Sequence, residues 1–306
     1  MEKIIIAGSG PAGLTAAIYI ARAGFTPLLI DGFQVGGQLT QTDKVENFPG
    51  FPDGIGALDL MDRMRQQAEN LGVRFVSGEL SSIEIAPDGN IICSLGDGTK
   101  VTTVALIGAT GATARKLGME SEAKYTGLGV SGCAVCDGPF YRGKKVAVIG
   151  GGDTALGDAV YLARICESVD LIHRRDEFRG AQIARDRVME NEKIKIHWDS
   201  VPDEILGTDA EGVTGIRIKN KISGELTELP ASGVFVAIGH NPVTGWASGL
   251  LELDEEGYFK TNNTLTNVPG IFVAGDVQDR LYKQAVTAAA SGCIAALAAE
   301  DYLRSK

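Results

Sequence analysis

Cysteine is scarce in this chain, five in 306 residues, which excludes a scaffold built from disulfides. Cys93, Cys166 and Cys293 stand alone, and only Cys133 and Cys136 are close in sequence, as a C-x-x-C. Positive charge is in deficit, with 29 Lys and Arg against 39 Asp and Glu, so the net charge of −10 argues against nucleic acid or an anionic membrane as partner. Long hydrophobic runs are missing as well. The longest stretch without Asp, Glu, Lys or Arg, residues 229–251, contains His240, Pro242 and several glycines, which excludes it as a membrane helix. The opening apolar run meets Gly8 too early for a signal-peptide core, and there is no low-complexity segment. The expected setting is a soluble, reducing cytoplasm.

Glycine is abundant instead, at 40 of 306 residues, nearly twice the average of about 7%. With 44% hydrophobic and 22% charged residues the chain is otherwise an ordinary globular one, long enough for two domains. The glycines cluster where apolar runs end. Residues 3–7 read as a strand, Gly8-Ser9-Gly10-Pro11-Ala12-Gly13 as a tight turn, and the Ala-rich stretch to Ala23 as a helix. A G-x-G-x-x-G in this setting is a dinucleotide fingerprint. The first glycine permits the turn, the second lets the backbone approach a pyrophosphate, and the third allows the helix to pack on the strand. The helix N-terminus then faces the phosphates. A second strand, residues 27–30, ends at Asp31, whose carboxylate suits a free ribose diol.

The unit then recurs. Residues 145–149 form a strand, Gly150-Gly151-Gly152-Asp153-Thr154-Ala155 a turn, the stretch to about Arg164 a helix, and residues 169–172 a second strand. His173 lies as far beyond Gly150 as Asp31 lies beyond Gly8, and it is followed by Arg174, Arg175 and, one turn on, Arg179. A basic cluster at the ribose position suits a 2′-phosphate, which arginine can bind through two parallel hydrogen bonds. The two units therefore imply NADPH in the second and a dinucleotide without a 2′-phosphate, FAD, in the first.

The first unit closes at strand 104–108 with Ala109-Thr110-Gly111, and the second at strand 234–238 with Gly239. The tail holds a buried-strand pattern ending in Gly275-Asp276 and a small-residue helix over 284–303, too little for a third unit, so it is expected to rejoin the first. The predicted fold is α/β, with two Rossmann-like dinucleotide-binding domains. A discontinuous FAD-binding domain, residues 1–112 and 244–306, is interrupted by an NADPH-binding domain, residues 113–243, that carries the C-x-x-C. The two crossings read as hinges, and residues 209–228 read as a small β-meander.

Cys133-Ala134-Val135-Cys136-Asp137 invites two readings. A structural zinc site wants four ligands, but there is no second C-x-x-C, and His197 and His240 lack ligand spacing, so no metal is expected. Two thiols at this spacing can reach disulfide distance, and the motif lowers the pKa of one of them. Beside a flavin and NADPH, an electron relay is the preferred reading. Asp137 is then either a surface acid or a proton source for the opened disulfide.

These pieces, in this order and spacing, resemble the low-molecular-weight, FAD-containing bacterial thioredoxin reductases over essentially the whole chain. The matching segments include Gly36-Gly37-Gln38-Leu39-Thr40, Val45-Glu46-Asn47-Phe48-Pro49-Gly50 and residues 270–277, together with both glycine turns, the C-x-x-C and the basic cluster. The resemblance implies that Gln38 and Asn47 approach the flavin and its ribityl chain, that Asp276 accepts from a ribityl hydroxyl, and that Gln284 and Ala285 lie at the isoalloxazine edge. Gly37, Leu39, Thr110, Gly111, Gly275 and Lys283 are implied as further cofactor-binding residues. It also implies that Cys136 is the thiol nearest the flavin, that Cys133 attacks oxidised thioredoxin, and that the protein is a homodimer. The chain departs from the family pattern at Gly157-Asp158, where many members carry two acids, at Lys283, usually Arg, at Val135, more often Thr, and at Val243. Two alternatives stand beside this reading: a related flavin disulfide reductase with another partner or electron donor, and a non-enzymatic flavin–dithiol redox sensor. Turnover with NADPH and a protein disulfide separates the last from the others.

Overall fold

Alternation of apolar strands with small-residue helices gives two α/β units in a computed structural model that describes every residue except Asp43. One unit comprises Met1–Thr113 and Asn241–Lys306, the other Ala114–His240.

In the first unit, Ile4, Ile5 and Ile6 are all fully buried. Three consecutive buried side chains require cover on both faces of the strand Glu2–Ala7, the condition of a central parallel strand. Its parallel neighbours are Leu28–Ile30 on one side and Lys100–Gly108 on the other. The second neighbour is shared along its length. Its first half pairs antiparallel with Ile91–Leu95, and its second half pairs parallel with Ile271–Val273 from the C-terminal segment. The helices Pro11–Arg22 and Ala285–Arg304 cover one face. Their crossing is built from alanine and glycine: a Cβ on Gly292 would stand 2.1 Å from the carbonyl oxygen of Ala12. A helix this poor in large side chains gains its contacts by bringing the backbones close.

The second unit has a five-stranded parallel sheet in the order Val130–Ser131, Gly233–Val236, Lys145–Ile149, Ser168–Ile172, Ile194–His197. All five carboxyl ends therefore lie along one edge, where open α/β sheets bind ligands. A three-stranded antiparallel sheet, Ser200–Thr208, Gly212–Asn220 and Leu226–Pro230, follows. It begins earlier than the meander expected over 209–228, because its first strand starts at Ser200 and accommodates Pro202 with a register shift at that point.

The helix Asp153–Ile165 carries Gly157 on its exposed face, where a Cβ would meet nothing within 4 Å. Alanine there is expected to stabilise this unit by about 0.5–1 kcal/mol, because it restricts the unfolded chain and suits the helix better. A rise of the thermal unfolding midpoint in calorimetry is the expected result, and a fall would contradict it.

Candidate active site and nucleotide turns

The first glycine turn leaves the strand Glu2–Ala7 where that strand is paired on both sides. Gly8 has φ +111°, and a Cβ on it would lie 2.2 Å from the carbonyl oxygen of Ala109, so glycine is required twice over. Gly13 is held by packing: its Cβ would stand 1.8 Å from the Gly8 carbonyl oxygen. Pro11 occupies the first turn of the helix, where its missing N–H costs nothing. The Ser9 hydroxyl donates to the Asp31 carbonyl at 2.7 Å and accepts the Gly36 N–H at 3.1 Å. That bond draws the loop 34–38 over the turn, where a Cβ on Gly37 would lie 3.1 Å from the Gly10 Cα. Two glycine backbones thus face one another with no side chain between them.

Further residues of this unit converge in pairs. Asn47 Nδ2 donates to Gln284 Oε1 at 3.1 Å, a bond between residues 237 positions apart. Gln284 also caps the helix Ala285–Arg304 through a reciprocal pairing with Thr287. Gln38 makes only a long contact with Gln34, at 3.5 Å, and Leu39 packs into the core. The Thr110 hydroxyl donates to the Val243 carbonyl at 2.7 Å, and Gly111 accepts the Val243 N–H at 3.0 Å. Gly275 is packed with Ala12, and a Cβ on it would lie 2.9 Å from the Ala12 Cβ. The Asp276 carboxyl accepts no hydrogen bond from any described residue, and burial pushes its pKa up to about 6, with Asp279 adding to the rise and Lys283 opposing it. Lys283 has φ +44°, and burial lowers its own pKa.

The second turn repeats the geometry of the first. Gly150 has φ +152°, and a Cβ on it would lie 2.3 Å from the Ala237 carbonyl oxygen and 2.6 Å from the Ala155 Cβ. Three links fasten the loop 173–181 to this turn. Arg179 N–H donates to the Gly151 carbonyl at 2.9 Å, the Ala181 N–H donates to Asp153 Oδ1 at 2.7 Å, and His173 supplies the third. His173 departs from the sequence expectation. Its ring is buried, with Nδ1 3.1 Å from the Gly150 carbonyl oxygen and Nε2 2.9 Å from the Glu177 carbonyl oxygen. Phe178 and Trp198 pack around it, and a Cβ on Gly151 would run into it at 2.2 Å. Burial lowers its pKa against the raising effect of the Glu177 and Gly150 carbonyls, with Arg175 and Arg179 adding to the fall. Both ring nitrogens face backbone carbonyls and the ring lies inward, so His173 joins turn to loop and does not reach outward. Arg174, Arg175 and Arg179 are exposed, and no carboxylate pairs with any of the three guanidiniums among the described residues. The helix N-terminus places Gly152, Asp153 and Thr154 beside them.

Cys133 and Cys136 are joined as a disulfide, with Cα atoms 5.3 Å apart. They follow directly from the edge strand Val130–Ser131, at the same carboxyl-end edge as the glycine turn. Ala134, between them, is buried in the core of this unit, and a Cβ on Gly138 would lie 2.9 Å from Leu162 Cδ2. The dithiol is thereby fixed to the helix that begins at Asp153. The Cys136 N–H donates to Cys133 Sγ at 3.2 Å, a contact that favours the thiolate on Cys133 once the bond is opened. Burial raises the Asp137 carboxyl above the usual range, against a lowering hydrogen bond from Ser131. Val135 and Phe140, each 43% exposed, flank the disulfide. Cys93, Cys166 and Cys293 are unpaired, and burial pushes the Cys93 thiol up to about 12.

Sequence reasoning missed two residues. Ser131 accepts the Cys133 N–H at 3.0 Å besides its bond to Asp137, and only its place two residues before the motif could have pointed to it. Arg65 pairs with Asp31 at 2.7 Å across 34 positions, a distance that no local motif spans.

Comparison with known proteins agrees with this geometry. The sequence profile of the pyridine nucleotide-disulphide oxidoreductases matches residues 2–292. A thioredoxin reductase of Rickettsia conorii is 46% identical over 304 residues, covering 98% of both chains. One of Coxiella burnetii is 47% identical over 313 residues, covering 99% of this chain and 97% of its own. The crystal structure of thioredoxin reductase from Streptococcus pyogenes superposes with a TM-score of 0.92 at 39% identity, covering 99% of this chain and 98% of that one.

Proposed function

The chain belongs to the pyridine nucleotide-disulphide oxidoreductases and, within them, to the thioredoxin reductases, and on that footing we propose that it reduces thioredoxin with electrons from NADPH. The observation that carries the reading is one shared edge. The Cys133–Cys136 disulfide, the turn 150–155 and three unpaired arginines all stand at the carboxyl ends of one parallel sheet. In the first unit, the facing backbones of Gly10 and Gly37 and the unpartnered carboxyl of Asp276 fit an extended dinucleotide, FAD, held along the turn 8–13. Bound there, FAD supplies the electron pair, received from NADPH, that opens the disulfide.

This chain's residues do the rest. Opening the Cys133–Cys136 bond takes two electrons and two protons, and Asp137, with its raised pKa, is placed to give a proton at that site. Cys133, its thiolate favoured by the Cys136 N–H, attacks the partner's disulfide. One partner sulfur leaves as a thiol, and a mixed disulfide forms. Cys136 then attacks Cys133, releasing the reduced partner and restoring the disulfide. The exposed side chains of Val135 and Phe140 offer apolar contact to a protein substrate beside the reacting sulfurs. We assign the enzyme to the cytoplasm, where three unpaired cysteines and a product dithiol persist, and to a homodimer by its family resemblance. No helix of the described residues is long and apolar enough to cross a membrane.

Anaerobic addition of NADPH is expected to bleach the flavin, and oxidised thioredoxin to restore it. A flavin that NADPH leaves oxidised refutes the donor assignment, and a reduced enzyme that thioredoxin leaves unchanged refutes the partner. Replacing Arg174, Arg175 or Arg179 singly by Ala is expected to raise KM for NADPH by roughly tenfold each while leaving KM for NADH unchanged, since each removes a charged hydrogen bond to the 2′-phosphate alone. Steady-state kinetics with both coenzymes checks this, and an equal loss for both assigns the arginines elsewhere.

A further inference from the structure

Arginine stands beside both strand ends that follow the glycine turns, but in opposite states. At the second, Arg174, Arg175 and Arg179 have no acidic partner. At the first, Arg65 from the helix Ala57–Asn70 is held from three sides. Its Nη1 donates to Asp31 Oδ1 at 2.7 Å, its Nε donates to Glu69 Oε1 at 3.0 Å, and its guanidinium lies over the Phe75 ring with Cζ 4.0 Å from the centroid. Against the lowering effect of burial, Asp31 and Glu69 raise its pKa. The Asp31 side chain is only 6% exposed, yet its second carboxylate oxygen has no partner among the described residues. The backbone of Asp31 is fastened as well, since its carbonyl accepts the Ser9 N–H at 3.1 Å and the Ser9 hydroxyl at 2.7 Å.

We propose that Arg65 is a positioning residue of the FAD adenosine site, holding Asp31 aimed so that its open oxygen receives the ribose hydroxyls. The inference rests on the reading that the first unit binds FAD. A carboxylate this buried is costly to leave without a paired cation, and a fork fixed to two carboxylates and an aromatic seat sets its direction. The same pairing gives the site its selectivity. One arginine between two carboxylates leaves net negative charge at the ribose edge, which admits a diol and repels a 2′-phosphate. The unpaired arginines of the second unit do the reverse.

The test compares the native holoprotein with R65M, R65K, D31N and the double variant R65M/D31N, using flavin fluorescence to follow release and rebinding of FAD and of an FAD analogue that lacks the adenosine 2′-hydroxyl. The native protein is expected to bind the analogue roughly tenfold more weakly than FAD, the loss of a charge-assisted hydrogen bond. R65M is expected to weaken FAD binding to about the level of D31N and to bind both dinucleotides alike, with little further loss in the double variant. R65K, which keeps the charge without the fork, is expected to fall between, and an unchanged far-UV circular dichroism spectrum confirms that each variant is folded. An R65M that still separates FAD from its analogue, or whose loss adds in full to that of D31N, overturns the proposal. A native protein that takes up no FAD overturns the underlying reading and this inference with it.

Discussion

Replacing Cys136 by Ser is expected to lower thioredoxin reduction by more than roughly a thousandfold, as loss of a covalent participant does, while NADPH still bleaches the flavin at an unchanged rate. The geometry separates this variant from its counterpart, C133S. In C136S the remaining thiol is Cys133, and its sulfur still has the N–H of residue 136 to favour the thiolate. It attacks the partner, but nothing resolves the product, so a covalent mixed disulfide accumulates and appears in non-reducing mass spectrometry. In C133S the remaining thiol is Cys136, which lacks that hydrogen bond, and no such species is expected. Equal trapping by both variants would remove the distinction between the two sulfurs. A C136S protein with substantial turnover would remove the dithiol from the reaction altogether.

The parts of this site that were legible in sequence are those where backbone geometry admits one residue type. Gly8 and Gly150 stand against the carbonyls of Ala109 and Ala237, and no side chain fits in either place, so the turns are written in the sequence itself. The C-x-x-C was legible for a similar reason, because two cysteines three positions apart reach disulfide distance within one turn of chain. What escaped are the contacts between distant segments. Asn47 meets Gln284, and Asp31 meets Arg65, and neither pairing has a local signature.

His173 shows a different limit. Its register beside the arginines suggested a phosphate contact, but the ring turns inward because two backbone carbonyls and an aromatic pair, Phe178 and Trp198, make a seat for it there. Register along a strand places a residue at a site, while the direction of its side chain is decided by what packs around it. The departure at Gly157-Asp158 has a related explanation. Gly157 is exposed with open space above it, so the position is free of packing constraint, whereas Asp158 is half-buried, and desolvation pushes its pKa up to about 7.

Replacing Asp137 by Asn is expected to slow the dithiol half of the reaction by about a hundredfold to a thousandfold, the usual contribution of a positioned acid. Burial raises this carboxyl, so it keeps its proton to higher pH than an exposed aspartate. The sign follows from that. The native enzyme has its acid in hand below the raised pKa and loses it as pH rises through that value, so the rate of disulfide opening should decline on the alkaline side. The Asn variant has no proton to give at any pH, and its slower rate should lose that limb. Tyr141, half-buried beside Asp137, does not supply the limb instead. Burial and the neighbouring carboxylate push its phenol above the usual value, so it holds its proton throughout the neutral range. Stopped-flow measurement of thiol appearance across pH distinguishes the cases. Retention of the alkaline decline in the Asn variant would assign the limb to the thiols themselves, and a native rate would leave Asp137 as a half-buried acid with no part in the reaction.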